Sequence, residues 1–369
     1  MEQENETITT YKGFDKDLKC RGFQYEVGKE YELPKGESVC VCSKGFHACE
    51  SPLEVLDHYF MDGHANLLRF CEVEQSGEFS KEVDSTKVAS SKIKIKKEIT
   101  FADLINSGVE WLKEKTSNDG GGDSAQICSS GYRAKIGSCD GFAQIGSSGD
   151  YAKIGSSGGY AKIGSSSGYA KIGSSGDCTQ IGSSGGCAQI ASSGDYAQIG
   201  SSGNNARIAS SGGNAQIGSS GGCAQIASSG YSAKIGSSGD NAWIASSGSY
   251  AQIGSSGNHA QIGSSGSYAQ IGSSGNSAQI CSSGNSAKIG SSGDYAQIDS
   301  TGEDSVIMCA GHNSGAKAKK GSWITLAEWY KDEETGKMKP KCVKAEYVDG
   351  ERIKEDTWYK LVDGEFIEA

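Results

Sequence analysis

Gly149-Asp150-Tyr151-Ala152-Lys153-Ile154-Gly155-Ser156-Ser157 is one copy of a unit that fills the middle of the chain. Its general form is Gly-Ser-Ser-Gly-x-x-Ala-x-Ile, and isoleucine returns every ninth residue from Ile127 to Ile307, 21 times without a slip. An unbroken fixed period marks a repeat architecture. Ala152 and Ile154 are two apart, so on a strand they share one face, with Tyr151 and Lys153 on the other. A strand of this length cannot bury that face alone. Stacked copies can, at the ~4.8 Å spacing of neighbouring strands. A helix is disfavoured, because each glycine costs about 1 kcal/mol against alanine. The Gly-Ser-Ser-Gly stretch must turn the chain, with glycine supplying positive φ.

The pattern predicts a mainly β protein, a parallel β-solenoid of nonapeptide repeats with a core of stacked Ile and Ala. Two repeats per coil give a flattened roll with two sheets, and three give a triangular prism. A thin Ala and Ile core favours two, hence about ten coils and a rod roughly 50 Å long. The paired serines predict a stacked hydroxyl ladder at the corners, since buried polar groups need partners. Flexible linkers are also rich in Gly and Ser, but they do not hold isoleucine in fixed register.

The chain has 369 residues, net charge −10 and three prolines. Residues 1–119 carry 23 acids and 16 bases, residues 120–310 carry 10 and 8, and residues 311–369 carry 12 and 11. The repeats are near neutral, so they form neither a polyanion mimic of DNA nor a basic nucleic-acid groove. No apolar run approaches the ~20 residues of a membrane span. The first residues lack the basic and apolar regions of a secretory signal. The 13 cysteines therefore read as reduced thiols, and the expected location is cytoplasmic.

Residues 1–119 read as a small α+β head that caps the first coil. Strands are expected at Thr7–Tyr11, Tyr25–Tyr31, Val39–Cys42, Asn66–Val73 and Val88–Lys97. Ser51-Pro52-Leu53-Glu54 opens a helix running through Val55–Phe60. A second helix spans Phe101–Lys115, with Thr100 as N-cap and Asp103 in the first turn. A cap is needed because an open solenoid end exposes core and unpaired strand edges. In residues 311–369, His312–Ala316 is a degraded repeat. Two Asp-Gly turns, Asp349-Gly350 and Asp363-Gly364, predict antiparallel strands at Lys341–Val348, Glu351–Lys354, Trp358–Val362 and Glu365–Ile367. Trp323, Trp329 and Trp358 cover the last coil or support a homodimer through this cap.

Three groups of residues are candidates for function. Cys40, Cys42, His47 and Cys49 are ligand types that zinc accepts, but their spacing matches no standard finger, so buried thiols and a satisfied histidine are the first reading. Arg21, His47 and Cys49 form an alternative head site for an enzyme or a nucleotide-binding module, although no nearby motif completes a catalytic set. On the repeats, Arg133, Lys135, Phe142, Tyr151, Lys153, Tyr160, Lys162, Tyr169 and Lys171 make an outward aromatic and basic cluster of the kind that stacks bases and meets phosphates. Nucleic acid is the weaker of the partners this allows, and a protein the stronger. No cofactor is expected.

The motifs Tyr11-Lys12-Gly13-Phe14, Cys20-Arg21-Gly22-Phe23-Gln24-Tyr25 and Gly45-Phe46-His47-Ala48-Cys49-Glu50-Ser51-Pro52-Leu53 in the head, with Gly321-Ser322-Trp323-Ile324 and Asp356-Thr357-Trp358-Tyr359 in the tail, resemble a family of uncharacterised proteins from gut bacteria and their phages. Its members follow the head with Gly/Ser/Ala-rich repeats. The resemblance implies an association with phages and mobile elements, and hence a host-cell cytoplasmic location, but no activity and no site residues. The nine-residue period is also similar to that of calcium-binding toxin repeats. Here the calcium position holds mostly Tyr, Cys, Asn, Ser or His, and Asp150, Asp177, Asp195, Asp240 and Asp294 lie one place earlier, so calcium is not expected. An ice-binding face is disfavoured too, because the outward rows are long and mixed.

These observations lead to a binding or scaffold protein whose rod presents a repetitive surface to a large partner. Given the resemblance, that partner is a host defence or nucleic-acid-processing protein and the chain its inhibitor. The alternative places function in the head and makes the rod a spacer.

Overall fold

The computed structural model describes residues 7–34, 36–41, 43–58, 68–81, 86–115 and 124–369. From residue 126 onward the repeats wind into a parallel β-solenoid of about eleven coils, with two repeats per coil. The pairing shows this directly, since Gln144 sits beside Lys162 and Ile145 beside Ile163, 18 residues on. Successive repeats therefore fall in opposite sheets. One, the open sheet, begins at Gln126–Ser129, and the other, the covered sheet, begins at Lys135–Ser138.

The strand sits differently within the unit from the sequence expectation. It starts at the residue before Ile and ends at the first Ser, as in Lys162–Ser165. Ile163 and Ser165 point in, while Lys162 and Gly164 point out. Alanine is fully buried at the corner just before the strand, as at Ala161 and Ala170. Tyrosine is not a strand residue at all. It stands at the corner, where the residue before Ala takes a left-handed conformation, as at Tyr151 (φ 60), Tyr196 (φ 57) and Asn241 (φ 57).

Glycine does not supply that conformation, contrary to the expectation from sequence. No glycine between 124 and 320 has a left-handed φ. The corner glycine is needed for space. A Cβ on Gly221 would lie 2.0 Å from the carbonyl oxygen of Gly203, one coil earlier, and one on Gly149 would lie 2.1 Å from that of Gly131. The corners stack backbone on backbone.

The expected serine hydroxyl ladder is also absent. Ser192, Ser219, Ser237, Ser255 and Ser273 are buried, and their Oγ atoms have no hydrogen-bond partner. Equivalent atoms in successive coils are ~4.8 Å apart, beyond hydrogen-bond reach. Serine is present because it is small enough to sit beside Ile in a thin core. The ladder that does form uses the corner side chains. The N–H of Asn258 donates to Asp240 Oδ1 (2.7 Å), that of Asn276 to Asn258 Oδ1 (2.9 Å), and that of Asp294 to Asn276 Oδ1 (2.9 Å).

The head is built from β1 (Thr7–Phe14), β2 (Lys19–Cys20), β3 (Phe23–Gln24), β4 (Glu30–Glu32), β5 (Phe46–Cys49), α1 (Val55–His58), β6 (Arg69–Lys81), β7 (Lys87–Ile99) and α2 (Phe101–Lys115). Five strands form an antiparallel sheet in the order β4-β7-β5-β1-β6. Because β6 also pairs with β7, the sheet curls on itself. Phe14, Val73, Ile93 and Ile95 fill its interior. The predicted cap on α2 is present and reciprocal, with Asp103 N–H donating to Thr100 Oγ1 and Thr100 N–H to Asp103 Oδ2. The described part of the expected strand, Val39–Val41, is not a strand. Cys40 bridges back to Lys44 around a tight turn, and Cys42 lies outside the described residues. The first helix opens with a 3-10 turn at Pro52–Glu54 that leads into α1. Tyr59 and Phe60 lie outside the described residues, as does Asn66.

The head does not sit on the end of the rod. It lies across the outer surface of the covered sheet. Leu53, Val55, Leu56, Leu104 and Ile105 form one apolar cluster with Ala191, Ala209 and Ala227 of the rod. Helix α2 crosses the strands from Lys135–Ser138 to Gln189–Ser192. The physical reason is area, since the end of so thin a core offers little apolar surface and the sheet face offers much more. At the other end, Trp323–Lys331 extends the open sheet and Met338–Tyr347 pairs with it antiparallel. Tyr359–Val362 and Glu365–Glu368 extend the covered sheet, joined by the expected Asp363-Gly364 turn. Asp349-Gly350 is not a hairpin, and Glu351–Lys354 is not a strand. Asp349 Oδ1 instead accepts the N–H groups of Glu351, Arg352 and Ile353. Ile324, Leu326, Ile353, Tyr359 and Leu361 join the rod core and close it. No helix among the described residues is long and apolar enough to cross a membrane.

The two kinds of glycine should separate in a melting experiment. Gly221→Ala, whose Cβ meets backbone at 2.0 Å, should lose about 1–3 kcal/mol or more. Gly218→Ala, whose Cβ meets nothing within 4 Å, should be neutral within about 0.5 kcal/mol. Equal losses would remove the argument from corner stacking.

Candidate functional site

The 18-residue coil divides the aromatic and basic residues that the sequence groups together. Arg133, Tyr151 and Tyr169 stand at one corner, with Tyr151 and Tyr169 stacked at 4.8 Å. The Arg133 guanidinium lies 5.9 Å from the Tyr151 ring. Phe142 and Tyr160 stack at 5.2 Å on the opposite corner. Lys135, Lys153 and Lys171 belong to the covered sheet, and Lys162 to the open one. Nine residues that look contiguous along the chain thus occupy both corners and both faces.

Two of those lysines serve the junction between head and rod. Lys153 makes an ion pair with Glu54, which is 4% exposed. Burial works against the charged carboxylate. The ammonium groups of Lys171 and Lys153, with hydrogen bonds from Lys153 and Thr86, outweigh it and hold the Glu54 pKa at about 2. Ser193 Oγ donates to Asn106 Oδ1 at 2.7 Å, and Arg207 donates to the Leu56 carbonyl at 3.2 Å. Gly108 in α2 lets Leu53 come close, for a Cβ there would be 2.5 Å from Leu53 Cγ.

Among the described residues nothing of this kind lies on the open sheet. Its outer surface carries two rows. One is a ridge of long side chains, such as Gln180, Gln198, Gln216 and Lys234. The other is an unbroken line of glycine from Gly146 to Gly290, one per coil. From Gly164 onward, a Cβ at any of these would meet nothing within 4 Å. Ridge and glycine floor bound a shallow trough of about 1590 Å³ along the rod. On the covered sheet the matching position carries Gly137, Gly155 and Gly173 beneath α2, then Ala191, Ala209, Ala227 and Ala245, all buried, and then Gly263. From Gly182 to Ala245 glycine and alanine alternate from one repeat to the next, a sequence signal for the coil length.

A second hollow lies in the head, with a volume of about 1120 Å³. Arg21, His47 and Cys49, the alternative head site, all line it, together with Lys12, Phe23 and Tyr31. Lys12 is 2% exposed, and its Nζ donates to the His47 carbonyl at 2.7 Å. Burial pushes the Lys12 pKa down, against the partial compensation of Cys20. Burial lowers the His47 pKa too, and the charges of Lys12, Lys87 and Arg21 add to it. His47 Nε2 is buried without a hydrogen-bond partner. Of the zinc alternative, Cys42 lies outside the described residues, Cys40 is exposed and Cys49 is buried. Among the described residues no three His, Cys, Asp or Glu side chains are placed to hold a metal ion.

Residues 8–107, the head without the rod, match the profile of a family described only as a domain of unknown function, DUF7666. Comparison with curated proteins and with solved structures finds no match.

The Glu54 carboxylate gives the junction a pH dependence of definite sign. Its pKa falls from an ordinary 4.5 to about 2, so its contribution is complete above about pH 4.5 and is lost as pH drops toward 2. Glu54→Gln should remove it at neutral pH and speed amide exchange in α2 by at least about tenfold. Unchanged exchange in α2 would show that the apolar contacts alone hold the head.

Proposed function

We propose that the chain is a binding scaffold whose open sheet receives an elongated protein partner, while the head is held on the opposite face. One observation carries this reading. Glycine persists on the open face through successive coils where the fold has room for a side chain. Glycine is the poorest residue for a strand interior, because it loses most entropy and packs nothing. On the covered face the same position is glycine beneath α2, where Leu53 and Val109 come close to Gly173, and alanine at Ala191, Ala209, Ala227 and Ala245. A floor of glycine lets a partner approach the backbone closely over nine coils, roughly 40 Å. The flanking amide ridge offers hydrogen bonds at every coil.

Protein is favoured over nucleic acid by charge. Between Gln144 and Lys288 the ridge has three cations, Lys162, Lys234 and Lys288, four coils and then three coils apart, or ~19 Å and ~14 Å. A phosphate backbone presents charge much more densely. The resemblance to proteins of gut bacteria and phages supports a partner in host defence or nucleic-acid processing, with this chain as its inhibitor.

The test fills the floor without touching the fold. Gly182→Gln, Gly200→Gln and Gly218→Gln together should leave melting unchanged and abolish the capture of the partner that wild-type full-length protein retains from host lysate. Gln261→Ala with Gln279→Ala, on the covered sheet, should leave capture intact. If the floor-filled variant captures the same protein as wild type, the open face is not the binding surface.

A further inference from the structure

The hollow in the head has the chemistry of a nucleotide site. Lys12, Lys19, Arg21, Lys87 and His47 line it, with Asp15, Glu30 and Glu32 among them. Lys12 is almost wholly buried, and the thiols of Cys20 and Cys49 act on it. Its Nζ donates to the His47 carbonyl at 2.7 Å and lies 5.6 Å from the centre of the Phe14 ring. The carboxylates at the rim are partly engaged elsewhere. Asp15 Oδ1 accepts the N–H groups of Asp17 and Lys19, and Glu32 pairs with Lys92 at 3.1 Å, while Glu30 lies beside them.

Aromatic rings form the other wall. Phe23 packs edge-on against Tyr25 at 4.8 Å and Tyr31 at 5.4 Å, with Phe46 at 6.5 Å. Phe23 is nonetheless 47% exposed at the mouth, so a flat ring can lie against it. The arginine that joins the two halves sits in a strained turn. Arg21 (φ 51) and Gly22 (φ 80) are the two central residues between β2 and β3, both left-handed. Asparagine or aspartate would be more comfortable in the first of these places. Keeping arginine there accepts that strain and sets a guanidinium at the hollow's edge, where it can grip a phosphate with two parallel hydrogen bonds.

We infer that this hollow binds a nucleoside diphosphate, with its phosphates among Arg21, Lys12, Lys87 and His47 and its base against Phe23. The hollow has room for much more than a lone phosphate. At about 1120 Å³ the hollow has the capacity of a drug-sized ligand site. The inference is independent of the scaffold reading, since it concerns the head alone.

Calorimetric titration of the full-length protein with ADP is the test, with adenosine and inorganic pyrophosphate as separate titrants. ADP should bind one to one and more tightly than either fragment. Arg21→Asn, which suits the left-handed turn and removes the charge, should leave melting unchanged and weaken ADP at least about tenfold. Phe23→Ala should weaken ADP by about tenfold or more and leave pyrophosphate unaffected. The open-face variant Gly182→Gln, Gly200→Gln, Gly218→Gln should bind ADP as wild type does. Absence of ADP binding at millimolar concentration would overturn the inference. So would pyrophosphate binding as tightly as ADP, or ADP binding that neither Arg21→Asn nor Phe23→Ala changes.

Discussion

The contact between one corner glycine and the carbonyl above it governs this molecule. A coil of 18 residues can stack at strand spacing only if its two corners also stack at that spacing. Strands manage this through their hydrogen bonds, with like residues in register. Corners manage it by removing the side chain at the point of closest approach, where a Cβ on Gly221 would meet Gly203 oxygen at 2.0 Å. Once corners are this tight, the interior is thin. It can hold one Ile, one Ala and one Ser per repeat, and little more. The small residues of the unit thus answer to a single spacing.

The same constraint explains where the sequence is free. The residue before Ala takes a left-handed conformation at most corners, including those of Tyr196, Cys223, Asn241 and His259. Its backbone N–H donates to a carbonyl of the following coil, as from Tyr196 to Gly213 at 2.8 Å. That bond offsets a conformational cost of roughly 1–2 kcal/mol, and the side chain itself projects outward. Tyrosine, cysteine, asparagine, serine and histidine therefore exchange there without consequence for the coil. Aspartate and asparagine one place earlier do have a structural task, which is to accept the N–H of the next coil. Their chemistry looks like ligand chemistry from sequence, and the backbone uses it up.

How much was legible follows from the same physics. The nine-residue period, the parallel solenoid and the inward Ile and Ala could be read because each unit repeats its own evidence. The role of glycine could not, for φ and close approach leave the same letter in the sequence. Serine misled for a related reason, since a residue chosen for its volume looks like one chosen for its hydroxyl. The grouping of Tyr151, Lys153, Tyr160 and Lys162 failed because neighbours in sequence are opposite each other in an 18-residue coil. The clue was present in Ala191, Ala209, Ala227 and Ala245, which mark every second repeat. In the head, α2 and its Thr100 cap were plain, whereas Val39–Cys42 alternates like a strand and its described residues show only an isolated bridge from Cys40 to Lys44. Arg21 is remote in sequence from His47 and Cys49, and the folding of the head brings all three to one hollow.

The placement of the head has a consequence for the whole chain. A solenoid of identical repeats has two equivalent faces, and a partner that recognises one should recognise the other. Here the two are made different by intramolecular docking. Leu53, Leu104 and Ile105 bury the alanine row of one face, and Glu54 locks that arrangement through Lys153 and Lys171. The head also fixes which end of the rod is near, because α2 reaches only the first strands of the covered sheet. A repetitive surface has no inherent register, so anything that binds along it can slide by one coil. An appended domain at a defined height supplies the missing reference, and a partner touching both head edge and open rod would be held in one register. Gly137, Gly155 and Gly173 let the head come close on one face, and the glycine line from Gly146 to Gly290 leaves the same closeness open on the other.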